Sequence, residues 1–473
     1  MKVLIPYAIL GAIGTAGAFA GVSTLAPQAT IATAANTTAT VTPVVTPGNG
    51  AVLVHAALDR TVLPMAGGEV FARIALEGVM AKNQANARVP VSLTLVIDRS
   101  GSMSGGTKMQ DAKHAATLAI AALRPGDKVC VISFDDGAEN HGCASINAKG
   151  STAGDAQAPL VRAIESLQPR AGTDMIAGID VGGRAALTIH ADTRVNRLLL
   201  LSDGHPNNAA GLREQAAALA QKGVQTTTLG LGQDYQEDLM AAIADQGLGH
   251  YYFVAEPQML AKIFADELES LGSIVAREAS IMLMPKNGAR VVEVIGFTSS
   301  LQTDTTTRVP AGDIYGGRVT DVLVRLAVGP TQATSVQDVL DVRVAFTPAS
   351  GFERMQESRT LAAARSDDPG TIEKSLVLEV AVKVEKYRAA QAWLTANQAY
   401  DRGDNKEGDR VMASSSARLV DQAQALGNDD LAKEAGAQKL YQEQNAQGGA
   451  SWRGVGTREA KKKAWSMNKG SAY

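Results

Sequence analysis

The chain is 473 residues long, 45% hydrophobic and 20% charged, with a formal net charge of −3. That length holds two or three domains with sizeable cores, and the near-neutral balance offers no basic footprint for a nucleic acid. Aromatic residues are only 4%, which argues against a stacking platform for bases or sugars.

Residues 1–20, "MKVLIPYAILGAIGTAGAFA", begin with Lys2, run apolar and end in Ala18-Phe19-Ala20. That order is a secretory signal, so the chain is expected to be exported to a periplasm, cell envelope or medium. The alternative is an uncleaved segment that contacts or anchors in the membrane. Residues 21–50 are Ala, Thr, Pro, Val and Gly without a charge, and read as a disordered linker. In 51–88, "AVLVHAALDRTVLP" and "GEVFARIALEGV" are short β-type runs split by Gly67-Gly68.

Residues 89–275 alternate between strand and helix. Strand-like runs cover Val91–Ile97, Val129–Phe134, Arg197–Leu201, Val224–Leu231 and Tyr251–Val254. Between the first two, Met109, Ala112, Ala116, Ala119 and Leu123 recur at three- and four-residue steps and predict a helix. Continuous apolar strands such as "LLLL" (Leu198–Leu201) require cover on both faces. The expectation is an α/β domain with a doubly wound, mostly parallel sheet. Residues 276–350 return to β-type runs, including "VTDVLVRLAV" and "LDVRVAFTP". They predict a β-sandwich completed by the strands of 51–88, with the α/β domain inserted. Residues 371–447 read as a helical region. In 448–473, Arg453, Arg458, Lys461, Lys462, Lys463 and Lys469 oppose one acid, Glu459. That is a solvated basic tail, or a membrane or partner contact.

Cys130 and Cys143 are the only cysteines. "KVCVISFDDGAENHGCASI" reads as a hairpin turning on Asp136-Gly137, which sets the two cysteines opposite each other. Export would let them form a disulfide; two buried free thiols are the alternative.

The stretch "LTLVIDRSGSMSGG" (Leu93–Gly106) places Asp98, Ser100 and Ser102 just past the carboxyl end of the domain's first strand, where open sheets bind ligands. "PRAGTDM" offers Thr173 before a helix, and "LLLLSDG" offers Asp203 after a buried strand. All five are hard oxygen donors, suited to Mg²⁺, Ca²⁺ or Mn²⁺ rather than zinc or copper. Only two carry charge, so a divalent ion held there keeps net positive charge and an open position, which attracts an Asp or Glu carboxylate of a protein partner. Taken singly, each is equally a cap or turn residue. Asp174 reads as a helix N-terminal acid and His205 as a loop histidine near the rim. The sequence lacks a G-x-S-x-G elbow, a P-loop and a His-rich cluster, so no enzymatic activity is expected.

The D-x-S-x-S of Asp98-Arg99-Ser100-Gly101-Ser102, with Thr173 and Asp203, resembles the von Willebrand factor type A domain with an intact metal-ion-dependent adhesion site. The resemblance runs from about Pro90 to Gly272. "TTTLGLGQDYQEDLMAAIADQGLGHYYFV" is similar to the last third of bacterial members, whereas Pro206 stands where members commonly carry a small or polar residue. The resemblance implies one divalent cation, Mg²⁺ foremost, held by Asp98, Ser100, Ser102 and Thr173, with Asp203 often acting through water. The flanking β segments, including "DIYGGRVTDVLVRLAV", resemble exported bacterial proteins of the calcium-activated chloride channel-like type. No conduction is implied, because no segment after the N-terminus is apolar enough to span a bilayer. The expected function is metal-dependent, adhesion-type protein binding. The alternative is a structural component of the cell envelope in which the ion stabilises the fold.

Overall fold

The computed structural model describes residues 43–446 except 47–49, 81–88, 148–154, 204, 233–235, 255, 298, 304, 350 and 352. The signal-like segment 1–20 and the basic tail 448–473 lie outside the described residues. The chain starts with strands β1 (Pro43–Thr46), β2 (Gly50–Leu58), β3 (Val62–Pro64) and β4 (Gly68–Val79). The α/β segment comprises β5 (Val91–Asp98), α1 (Lys108–Ala122), β6 (Lys128–Phe134), β7 (Ala138–Ser145), α2 (Ala158–Ser166), α3 (Met175–Ile189), β8 (Val195–Ser202), α4 (Leu212–Gln221), β9 (Gln225–Leu231), α5 (Glu237–Gln246), β10 (Leu248–Val254) and α6 (Leu260–Gly272). Strands follow again: β11 (Ile274–Pro285), β12 (Arg290–Ile295), β13 (Ser300–Thr303), β14 (Thr306–Tyr315), β15 (Val319–Val328), β16 (Gln337–Pro348) and β17 (Met355–Ser366). Helices α7 (Pro369–Lys374), α8 (Leu378–Asp401) and α9 (Asn405–Leu426) come last, with residues 429–446 also helical.

The α/β sheet has the order β10-β9-β8-β5-β6-β7, parallel except for β7. Every residue of β5 is buried. Leu93, Leu95 and Ile97 point into a core shared with α1, α2 and α6, whereas Val96 points into one shared with α3, α4 and α5. Successive side chains of a strand leave on opposite faces, so a strand buried on both sides is predominantly apolar, at roughly 1.5–3 kcal/mol per buried aliphatic side chain. Helix α3 lies unusually close to the sheet: a Cβ at Gly182 would come within 2.5 Å of Val96 Cγ2, and one at Gly178 within 2.8 Å of Phe134. Those glycines let the start of α3 approach the ends of β5 and β6.

The remaining strands form two sheets, β1-β2-β4-β15-β12 and β13-β14-β11-β16-β17-β3, which share one core. Along β4, Val70, Ala72, Ile74 and Leu76 face that core, and the alternate Phe71 packs with Val380 and Val384 of α8. The α/β segment is inserted between β4 and β11. This is the expected fold class: an α/β doubly wound sheet inserted in a β-sandwich, followed by a helical region. Trp393, Tyr400, Met412 and Tyr441 form that region's core, and Trp393 Nε1 donates to Glu434 Oε1 (2.6 Å). Among the described residues, no helix is long and apolar enough to cross a membrane.

The structure corrects three local expectations. The linker 21–50 is not irregular to its end, because Pro43–Thr46 pairs antiparallel with β2; β-branched Val44, Val45 and Thr46 suit a pleat, and an edge strand accepts Pro43. The sandwich does not stop at 350: β17, in a stretch to which the sequence assigned no element, pairs with β16 from Met355↔Phe346 to Ala363↔Gln337. The β6–β7 hairpin does not turn on two residues. Phe134 pairs with Ala138, leaving a three-residue turn, and a bulge between Ile132 and Cys130 restores the Cys130↔Cys143 pairing. Gly142, at φ 108°, supplies the bulge conformation. Cys130 and Cys143 are disulfide-bonded.

Candidate metal centre

The parallel sheet reverses its winding between β5 and β8, and the crevice beyond their carboxyl ends is where such sheets bind ligands. Asp98 ends β5 and Asp203 follows β8, at 0% and 1% exposure. Between β5 and α1 the chain makes a tight 3₁₀ turn, Gly101–Ser104. Asp98 Oδ1 accepts from the Ser100 backbone N–H (2.7 Å) and Asp98 Oδ2 from the Ser202 hydroxyl (2.5 Å). Ser100 and Ser102 hydroxyls are 3.0 Å apart, and Ser102 donates to Asp203 Oδ1 (2.7 Å). Four of the five oxygen-bearing side chains are therefore joined in one chain of hydrogen bonds.

Thr173 arrives from the loop before α3. That loop is pinned from three sides. Gly101 N–H donates to Ala171 O (3.0 Å), Gly172 N–H to Asp136 Oδ1 (2.8 Å), and Asn207 N–H to Thr173 O (2.9 Å). A Cβ at Gly172 would meet Asp136 Oδ1 at 2.4 Å, so glycine is required by the close approach. Ala171 sits in the left-handed region at φ 55°, the kind of local strain found where a loop is held for a purpose. Thr173 is 7% exposed, and among the described residues its hydroxyl makes no hydrogen bond. Asp174 caps α3, accepting from Ala177 N–H (3.0 Å).

Three cations were not legible as part of this site. Arg99, inside the motif, donates to Asp135 Oδ2 (2.9 Å), as does Arg170 (2.6 Å). Burial works against the Asp135 charge, but Arg170 and Arg99 outweigh it and hold the carboxyl below its usual range. This knot ties the β5, β6 and pre-α3 loops together. Lys108, the first residue of α1, donates to Asp203 Oδ2 (2.5 Å). Its only sequence signal is a lysine placed one helical turn beyond the serines, which nothing distinguishes from an ordinary surface lysine.

A recess of about 490 Å³ opens over these groups, lined among others by Ser100, Ser102, Lys108, Thr173, Asp203 and His205. Asp98 is pushed up to about 6, first by burial and then by the charge of Asp203, against the hydrogen bonds from Ser100 and Ser202. Of the two buried carboxylates, only Asp203 meets an ammonium.

Residues 92–266 match the von Willebrand factor type A domain. This segment is a von Willebrand factor type A domain. Over a longer span, the chain is 26% identical to the Escherichia coli (strain K12) protein YfbK across 295 residues, 60% of this chain and 49% of that protein. The match thus spans about half the length of the Escherichia coli relative. It is 27% identical to the Synechocystis sp. protein sll0103 across 332 residues, 67% of this chain and 76% of that protein. A solved von Willebrand factor type A structure from Catenulispora acidiphila superposes with a TM-score of 0.69 at 18% identity, covering 91% of this chain and 99% of that one. The ArnB paralog VWA2 from Sulfolobus acidocaldarius gives 0.58 at 17%, covering 89% and 99%. At those identities the shared property is the fold, and the coverage extends it beyond the von Willebrand domain to the flanking regions.

Domains of this type commonly act as metal-dependent protein-interaction modules and often hold a divalent ion at their adhesion site. The residues of this von Willebrand domain fit such an ion. The donor set is wholly oxygen. Two buried carboxylates lie under a mouth of hydroxyls, with more negative charge than Lys108 alone balances. Among the described residues no group of three or more His, Cys, Asp or Glu side chains forms, so an ion here depends on hydroxyl donors. That chemistry suits a hard cation.

Proposed function

We propose that this protein is an exported binding module whose von Willebrand domain captures a protein partner through a divalent cation, Mg²⁺ foremost, at an intact adhesion site. Asp98, Ser100, Ser102 and Thr173 hold the ion, and Asp203 holds it through water. When bound, the ion supplies an open coordination position for an Asp or Glu carboxylate of the partner. The role of the chain is to gather hard donors at a rigid rim, to keep Asp98 and Asp203 out of water, and to present the mouth on the protein surface. The reading is non-enzymatic, and likens the flanks to exported proteins of the calcium-activated chloride channel-like type. Export rests on the signal-like residues 1–20.

The observation that carries the reading is the hydrogen-bonded chain Asp98–Ser100–Ser102–Asp203 beneath an open recess. The test is a pull-down from envelope extracts with Mg²⁺, with EDTA, and with an Asp98→Asn variant. Capture of a partner only by the parent chain with Mg²⁺ supports the reading; a specific partner retained in EDTA and by the variant ends it.

A second reading has its own support. Lys108 already bonds Asp203, so the site is partly neutralised from within, as a purely structural centre would be. In that case the ion stabilises the fold. Its removal would then lower the melting temperature strongly, while partner binding at temperatures where the chain stays folded would be unaffected.

A further inference from the structure

At the opposite, amino-terminal end of the α/β sheet, a cleft of about 790 Å³ separates the von Willebrand domain from one sheet of the sandwich. Its sandwich wall is fixed by register. Arg308 on β14 and Arg343 on β16 both pair with Met282 on β11. Their neighbours Ile281, Leu283, Val309, Val342 and Val344 face the sandwich core, so alternation puts Arg308 and Arg343 on the outer face, lining the cleft. Both are exposed, and among the described residues neither makes an ion pair. Asp341, two residues from Arg343, is engaged by Lys286 (2.9 Å) and Thr360 (2.7 Å).

Arg194, Lys222, Arg277 and Arg354 also line the cleft, against three acids, Asp192, Glu278 and Asp313. Two of the acids are paired with arginines, and Asp192 is exposed beside a histidine. Asp313 lies 3.6 Å from Arg197, Glu278 3.9 Å from Arg354, and Asp192 4.0 Å from His190. Arg277 is a fixed cation in the cleft wall. It is 6% exposed and is anchored by donating to the Asp192 carbonyl and to the Gly351 carbonyl (3.1 Å). Its Nε is buried and has no acceptor among the described residues.

We propose that this cleft binds a small anion carrying two or more phosphate or carboxylate groups. The volume is that of a small-molecule site. Guanidinium groups present planar donor pairs that match both oxyanions, and three cations that make no ion pair among the described residues on facing walls (Arg308, Arg343 and Lys222, with Asp341 acting on Arg343 only at longer range) favour a ligand of more than one charge. The site is separate from the Asp98 centre and does not depend on its ion.

The test uses the full chain, stripped of divalent ions on a chelating resin, in calorimetric titrations with inorganic pyrophosphate and with citrate. Saturable one-to-one binding is expected for at least one probe. An Arg308→Gln, Arg343→Gln double variant should weaken it at least about tenfold, and Asp98→Asn should leave it unchanged. Because both arginines sit on an exposed face, the double variant should melt as the parent does without anion and lose the anion-induced rise in melting temperature. Binding of pyrophosphate alone assigns a phosphoryl ligand, and binding of citrate as well assigns oxyanions in general. Saturation by neither probe, or equal affinity in the double variant, overturns the proposal.

Discussion

Beyond the carboxyl ends of β5 and β8, Asp98 and Asp203 are buried with hydroxyls and a single ammonium. Near the amino ends of β8 and β9, Arg197 is buried at 0% exposure but surrounded. It donates to Gln225 Oε1 (2.5 Å) and to the Tyr315 hydroxyl (2.8 Å), with Glu267 at 3.8 Å and Asp313 at 3.6 Å. Glu267 in turn accepts from Tyr252 (2.8 Å) and Thr227 (2.9 Å) and bonds His250 (2.9 Å). Burial acts against the Glu267 charge, yet His250 and Arg197 outweigh it and hold its carboxyl far below the usual range. At this end the Arg197–Glu267 cluster is therefore enclosed among opposite charges and joined to the sandwich through Tyr315. The other end is under-compensated and open. A closed network serves as a bearing between domains, whereas an incomplete one is a place for a ligand.

The largest effect should come from breaking the closed end. Arg197→Ala removes the cation paired with Asp313 and one of the partners of Glu267 in the interior, and should cost about 3–5 kcal/mol, read by chemical denaturation; a cost near zero would show that the network is not charge-coupled. At the open end, Asp98→Asn should lower divalent-ion affinity by more than about 100-fold, beyond what losing an outer-shell partner costs. The metal-free variant should melt no lower than the parent, because the substitution removes one of two like charges. Titration with Mn²⁺ and a thermal scan measure both halves. If metal-free Asp98→Asn unfolds readily, the two ends do not differ as described.

Lys108→Met sharpens the contrast in the other direction. Without the ammonium, Asp203 is left to an external cation, and divalent affinity should rise about tenfold, or roughly 1.4 kcal/mol. Unchanged affinity would mean that Lys108 and the ion do not compete for Asp203. The smallest effect lies outside both ends, in the helical region. Glu385 accepts from Arg418 (2.7 and 2.8 Å) and Arg388 (2.7 Å). Burial raises its carboxyl, but these arginines outweigh it, and the net shift is downward from 4.5. Its contribution is thus complete above pH 4.5 and is lost as the pH falls through the lower folded value. The loss should be about 1 kcal/mol or less, because the arginines are partly exposed. Glu385→Gln should flatten the acid limb of the stability curve over that window.

The α/β domain was legible because two-sided burial leaves a one-dimensional mark: the eight successive buried residues of β5 and of β8 are mostly apolar, as in the run Leu198–Leu201. The Asp98, Ser100 and Ser102 donors were legible because their spacing is local. β17 was not, since Met355–Ser366 is a strand only by pairing with β16 and, in part, with β3. Nor was the hairpin turn, because counting outward from Asp136-Gly137 cannot see a bulge. The roles of Lys108, Arg99 and Arg170 were equally hidden, for each is defined by a carboxylate 35 or more residues away in the chain.

The amino-acid sequence alone determined which elements are buried on two faces and which loop carries closely spaced oxygen donors, since periodicity and short motifs are properties of neighbouring residues. Tertiary structure alone decided what surrounds each charge. Whether Asp203 meets a lysine, whether Arg197 meets two acids, and whether Arg308 and Arg343 make no ion pair among the described residues depends on contacts between distant segments, and Coulomb energies follow distance in space rather than separation in sequence.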